Sequence, residues 1–179
     1  GEWSNEIYGG DLEGITDRID YLKALGVNVI YLNPVFHSIS SHRYDATDYT
    51  EIDPILGDLG DFTELVEAAQ ANDMHIVLDG VFNHVADDSV YFDRYYKFVG
   101  QDGKVGAYPY WAYVFDYLAE NENATEDEAE TEARKYFEAK GVTDFTYTEW
   151  FDFTGDYLTD DAGEIVQDTI GDRAGQNVY

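Results

Sequence analysis

Ten Lys and Arg against 38 Asp and Glu give this chain of 179 residues a formal net charge of −28, which excludes the cationic footprint that nucleic acid or anionic lipid needs. With 44% hydrophobic and 16% aromatic residues it carries too much apolar mass for a solvated tail, so a folded, carboxylate-crowded protein is expected. Cysteine is absent, removing disulfides and thiolate metal sites, and no run approaches the roughly 18 apolar residues of a membrane helix.

The acidic surface suits solubility at very high salt, where repulsion is screened over short distances, so a salt-rich environment is expected. Whether that setting is cytoplasmic or secreted stays open.

In chain order, Ile15, Ile19 and Leu22 make one apolar stripe on a short helix ending at Leu25-Gly26. Val27 to Leu32 follows, apolar enough for a parallel strand covered on both faces, and Asn33-Pro34 stops it. A loop from Pro34 to Gly60 leads to a second helix, capped by Asp61 with Glu64 as its reciprocal partner and with Phe62, Leu65, Val66 and Ala69 as its buried stripe. Met74 to Leu78 is the next strand, its His75 read as structural. Two strands joined through a helix form a unit of a mostly parallel α/β sheet; pattern alone leaves a closed barrel and an open sheet equally available.

After His84 the texture becomes an irregular, aromatic-rich excursion, as in Tyr91 to Tyr96 and Tyr108-Pro109-Tyr110-Trp111. Thr125 to Lys140 then predicts a helix, with Thr125 and Glu128 as capping box, Ala129, Ala133, Tyr136 and Phe137 as packing face, and Gly141 as C-terminal cap. Residues 155–179 are polar and unassigned.

Chemistry is expected where Leu78-Asp79-Gly80-Val81-Phe82-Asn83-His84 closes a strand with a carboxylate, an amide and an imidazole. A second polar cluster runs from His42 to Tyr49: Tyr44 offers a ring to the apolar face of a sugar, while His42, Asp45 and Asp48 can bond hydroxyls. Taken singly, each residue fits a loop-tying role as well. Together the clusters suit a neutral, hydroxyl-rich ligand better than a phosphate. Gly9-Gly10 and Gly57 to Gly60 lack phosphate-loop spacing and read as turns. The four histidines lack zinc spacing, whereas Asn83 with later acids is a candidate calcium ligand set.

The words Gly9 to Ile15, Leu25-Gly26-Val27-Asn28, Ile30 to Pro34, His42-Arg43-Tyr44-Asp45 and Asp79 to His84, in this order, resemble the early catalytic domain of the alpha-amylase family, near its neopullulanase, cyclomaltodextrinase and alpha-glucosidase-like members. The resemblance implies part of a (β/α)8 TIM barrel, with residues 1–83 as early barrel and 84–179 as an irregular domain inserted after the third strand. It implies that Tyr44 stacks on the sugar, Asp79 supports the cleavage site, His84 binds a hydroxyl with Asp48 as a further contact, and Asn83 organises the insertion near calcium.

The family is retaining, with two carboxylates about 5 Å apart. Gly171-Asp172-Arg173-Ala174-Gly175 would put glycine at the nucleophile position, so that match is coincidental and the catalytic pair is expected outside this chain. With little room before Gly9 for a first strand, the chain is expected to be an inactive fragment that needs the remainder of its barrel. Its parent is expected to hydrolyse alpha-1,4-glucans or maltooligosaccharides. Glucoside transglycosylation, a non-catalytic carbohydrate-binding or scaffold role, and an open Rossmann-like sheet are the alternatives.

Overall fold

The computed structural model describes residues 9–169 and 174–179. The first-strand expectation before Gly9 and most of the Gly171–Gly175 word lie outside them. The chain divides into two compact units between Ala86 and Asp87.

In the first unit the single helix expected around Ile15 and Ile19 is two, α1 (Leu12–Thr16) and α2 (Ile19–Ala24), because Arg18 leaves the helical region at φ −107° and ψ 7°. Asp11 caps α1 by accepting from Gly14 N at 2.7 Å. The intended stripe survives the break: Leu12 and Ile19 are buried, and Ile15 and Leu22 pack against them.

Strand β1 (Val29–Leu32) pairs in parallel with β4 (His75–Leu78), in register from Val29↔His75 to Leu32↔Leu78. The expected cover on both faces is corrected. Among the described residues, Leu32 is buried and Ile30 and Ile76 join the helix-side core, whereas Tyr31 is 59% and Val77 43% exposed. Side chains alternate across a strand, so only one set can meet the helices. His75, the first residue of β4, is likewise exposed.

The loop after Pro34 contains an unforeseen antiparallel pair, β2 (Phe36–Ser38) and β3 (Ala46–Ile52), with irregular register. Helix α3 (Leu59–Ala71) begins before the expected point: Asp58 is its cap, and Asp61 is the reciprocal partner whose carboxylate accepts from Asp58 N at 2.8 Å. The capping chemistry was legible, but Asp61 occupies the other end of the box. Leu65 and Ala69 on α3 and Met74 beyond it complete the first core.

The second unit corrects a larger expectation. Residues 107–120, read as irregular, form helix α4 (Ala107–Glu120). Pro109 sits in its first turn, where the missing N–H has no intrahelical partner to lose. Burial of Ala107, Tyr108, Tyr110, Ala112 and Val114 on several sides erases the one-sided pattern by which a surface helix is read.

Helix α5 (Glu126–Glu138) is as expected, with both bonds of the Thr125–Glu128 box present. It ends on Gly141 at φ +91°, where Val142 N donates to Phe137 O at 3.1 Å and Gly141 N to Glu138 O at 3.0 Å. The two helices enclose Tyr110, Val114, Ala129, Ala133 and Phe137.

A loop before α4 is organised by Asp93, which has no exposed surface. Its carboxylate accepts from Lys97 N at 2.7 Å and Phe98 N at 3.1 Å, yet burial pushes it up to about 6. Gly106 backs onto this residue so closely that an added Cβ would lie 2.5 Å from Asp93 Cβ. In the polar C-terminal stretch, Asp168 pairs with Arg94, whose guanidinium lies 4.5 Å from the Tyr108 ring centre.

Candidate functional site

The parallel ladder extends one bond past β4, since Asp79 N donates to Leu32 O at 3.1 Å. This fixes the backbone of Asp79 at the strand end. Its Oδ2 accepts from Tyr31 Oη at 2.7 Å and from Tyr44 Oη at 2.8 Å. Among the described residues, Oδ1 has no hydrogen bond and remains free to accept one from a ligand hydroxyl.

His84 closes the same arrangement: its Nε2 is 2.8 Å from Tyr44 O. Behind it, the Tyr49 hydroxyl lies against the carbonyl oxygens of Val81 and His84, holding the turn to β3. The structure therefore brings Tyr44, Asp79 and His84 onto one rim within the first unit. Tyr44 is 40% exposed, leaving ring surface for a ligand. It also lines a hollow with Asn33, Pro34, His42 and Arg43.

The other named residues are placed differently. Asp48 lies on β3 and accepts from Thr50 N at 2.7 Å and Thr50 Oγ1 at 2.6 Å, an interaction local to its strand. Asp45 takes the hydroxyls of Ser38, at 2.5 Å, and Ser40, so it ties the loop. Burial opposes ionisation of Asp45, but the two hydroxyls outweigh it and hold the carboxyl below the usual range. His42 Nδ1 accepts from Tyr44 N at 3.2 Å and thus supports the rim from behind.

Tyr31 and Tyr49 are the rim residues that sequence reasoning missed. The alternation of β1 carried a signal for Tyr31, because it shares a face with Val29 and projects away from the helices.

The electrostatics follow from these bonds. The Tyr31 and Tyr44 hydroxyls hold the Asp79 carboxyl below its ordinary value of 3.8. The same bond to Asp79, followed by partial desolvation and the carboxylate's charge, pushes the Tyr31 phenol up to about 12; Tyr44 is raised by the same causes. Near neutral pH the rim is thus an ionised carboxylate held between two protonated phenols. It can accept hydrogen bonds from hydroxyls while an aromatic face packs against the carbons of a ring.

Asn83 is exposed on the turn. Among the described residues, no group of three or more histidine, aspartate or glutamate side chains is arranged to hold a metal ion. No helix among them is long and apolar enough to cross a membrane.

Comparison with known proteins supplies the context for this rim. Amylopullulanase of Thermoanaerobacter thermohydrosulfuricus is 60% identical over 111 residues, which are 62% of this chain and 8% of that enzyme. Cyclomaltodextrinase of Thermoanaerobacter pseudethanolicus is 43% identical over 114 residues, 64% of this chain and 19% of the relative. The crystal structure of Ttha1563 from Thermus thermophilus matches with 40% identity and a TM-score of 0.50, over 55% of this chain and 20% of that one. The chain therefore spans under a quarter of the length of each of these relatives. Residues 2–157 match the family described as alpha amylase, catalytic domain. By this match, which takes in β1 to β4 and the rim they carry, the chain belongs to the alpha-amylase family.

Proposed function

We propose that this chain supplies part of the sugar cleft of a retaining glycoside hydrolase acting on alpha-1,4-glucans or maltooligosaccharides. The observation that carries the reading is the Asp79 carboxylate at the end of β4, held by Tyr31 and Tyr44 with His84 on the Tyr44 carbonyl. In this reading Tyr44 stacks on a glucose ring, Asp79 Oδ1 and His84 bind its hydroxyls, and Asp48 contributes farther along β3.

The parallel pair joined through α3 fits an early segment of a (β/α)8 barrel. Residues 84–179 then form a domain inserted after the third barrel strand. The names of the relatives, amylopullulanase and cyclomaltodextrinase, support the substrate class. We assign neither the nucleophile nor the acid/base to a residue of this chain. Asn83, together with later acids, is a candidate calcium ligand.

Calorimetric titration with a maltooligosaccharide and, as control, a cellooligosaccharide of equal length tests the reading. Binding of the first alone, without release of reducing ends, is expected. Equal binding of both would remove the alpha-glucan assignment, and turnover would place the catalytic pair within this chain.

The charge of −28 supports a salt-rich environment, because dense carboxylates destabilise the compact state when unscreened. Thermal unfolding is expected to shift to higher temperature from dilute buffer to molar salt; a shift the other way overturns that assignment.

A further inference from the structure

We propose that Arg43 is the positioning residue of the rim: its buried ion pair with Asp53 holds the backbone that presents Tyr44. The proposal rests on the sugar-cleft reading above and adds a residue to it.

Arg43 has φ +61°, the left-handed region that costs a side chain and favours glycine. A turn needing only that backbone would be served by glycine, yet a long cation stands there with its side chain nearly sealed from solvent. Nε lies 3.2 Å from Asp53 Oδ2, a pairing of charges without hydrogen-bond alignment, with the two side chains 9% and 4% exposed, and Nη1 donates to Ser41 O at 2.8 Å. Burying a charge is costly unless it is paired, and backbone strain persists where surrounding structure over-determines it.

Asp53 is itself tied by three hydrogen bonds. Asp53 N donates to Val35 O at 2.9 Å, its Oδ1 accepts from Ile55 N at 3.0 Å, and its carbonyl accepts from Leu56 N at 2.8 Å. Arg43 thus ties its loop to a junction shared by the approach to β2, the end of β3 and the approach to α3.

What this ties down is the next residue. Tyr44 N is held by His42 Nδ1, its carbonyl by His84 Nε2, and its hydroxyl by Asp79 Oδ2. The first of these bonds is made by the peptide between Arg43 and Tyr44, and the carbonyl and ring that make the other two follow directly from it. The ion pair, with the Nη1 bond to Ser41 O beside it, sets that peptide, and a displaced ring would neither stack on a sugar nor reach Asp79.

The discriminating variant is Arg43→Gly in the full chain. Glycine accepts the positive φ without strain, so a purely conformational role for this position predicts an unaltered rim. Positioning through the ion pair predicts that the Tyr44 phenol, followed by NMR with ring-labelled tyrosine, falls back from its raised titration toward 10.0, and that maltooligosaccharide affinity drops roughly tenfold. Arg43→Lys, which offers Asp53 a point charge, is expected to restore part of both.

Asp53→Asn keeps an acceptor for Ile55 N while removing the charge, and is expected to reproduce the Arg43→Gly result; it carries the test should the glycine variant fail to fold. Retention of the raised Tyr44 titration in the folded variants overturns the proposal. Failure of the unaltered chain to bind maltooligosaccharide overturns the sugar-cleft reading instead, and the Tyr44 titration still decides the role of Arg43.

Discussion

An Asp79→Ala chain is expected to lose at least about tenfold in maltooligosaccharide affinity and to return the Tyr31 phenol from about 12 toward its ordinary 10.0. The carboxylate is the common acceptor of two hydroxyls, so its removal releases both phenols and takes away the free Oδ1 together. Asp79 itself is solvent-accessible, so the melting temperature should stay close to that of the unaltered chain.

The pH window follows from the direction of each shift. The Asp79 carboxyl is lowered, so its contribution is present above 3.8 and is lost as pH falls through its still lower folded value. Tyr31 is raised, so its contribution is present below 10.0 and is lost as pH rises through about 12. Sugar affinity should therefore be flat across neutral pH. Unchanged affinity in the alanine variant, with Tyr31 still titrating near 12, would remove Asp79 from the centre of the rim.

Phe137→Ala is expected to cost about 3–5 kcal/mol of folding stability. Phe137 is 1% exposed, and its ring centre lies 5.0 Å from Tyr136, 6.1 Å from Tyr113 and 6.2 Å from Tyr110. Rings this interlocked from α4 and α5 leave the vacated volume little chance to refill, so the cavity penalty adds to the lost burial. Its carbonyl also accepts from Val142 N, but that bond belongs to the backbone and survives the substitution. Urea unfolding followed by tryptophan fluorescence measures the effect. A loss below about 1 kcal/mol would mean that the aromatic core repacks freely.

Legibility in the sequence followed the range of the physics involved. The Thr125–Glu128 box and the Gly141 terminus were readable because each is completed within a few residues of itself. The box at the start of α3 was readable in kind but misplaced, since Asp58 and Asp61 are both carboxylates and either can stand at its head. The α4 helix was hidden by Pro109 and by burial that is not confined to one face.

The hairpin was hidden because β3, with Asp48, Thr50 and Glu51 among its residues, draws its order from the partner strand and not from its own polarity. At the site, Tyr44, Asp79 and His84 stood out as polar groups gathered at strand ends. Tyr31 showed only its face and Tyr49 nothing, because a tyrosine inside a strand has the same signature whether its hydroxyl meets water, a carboxylate or a carbonyl.

The pairing of β1 with β4 sets more than a sheet. Because the last rung of that ladder is made by the residue whose carboxylate joins Tyr31 and Tyr44, sliding one strand by a single position would carry the acid about 3.3 Å along the axis and turn it to the opposite side. Alignment of four aliphatic and aromatic residues against four others thus acts as a vernier for a polar group that none of them resembles. A slip in β1 would turn Ile30 and Leu32 out of the core at the same step, so the core contacts that hold the register also hold the rim.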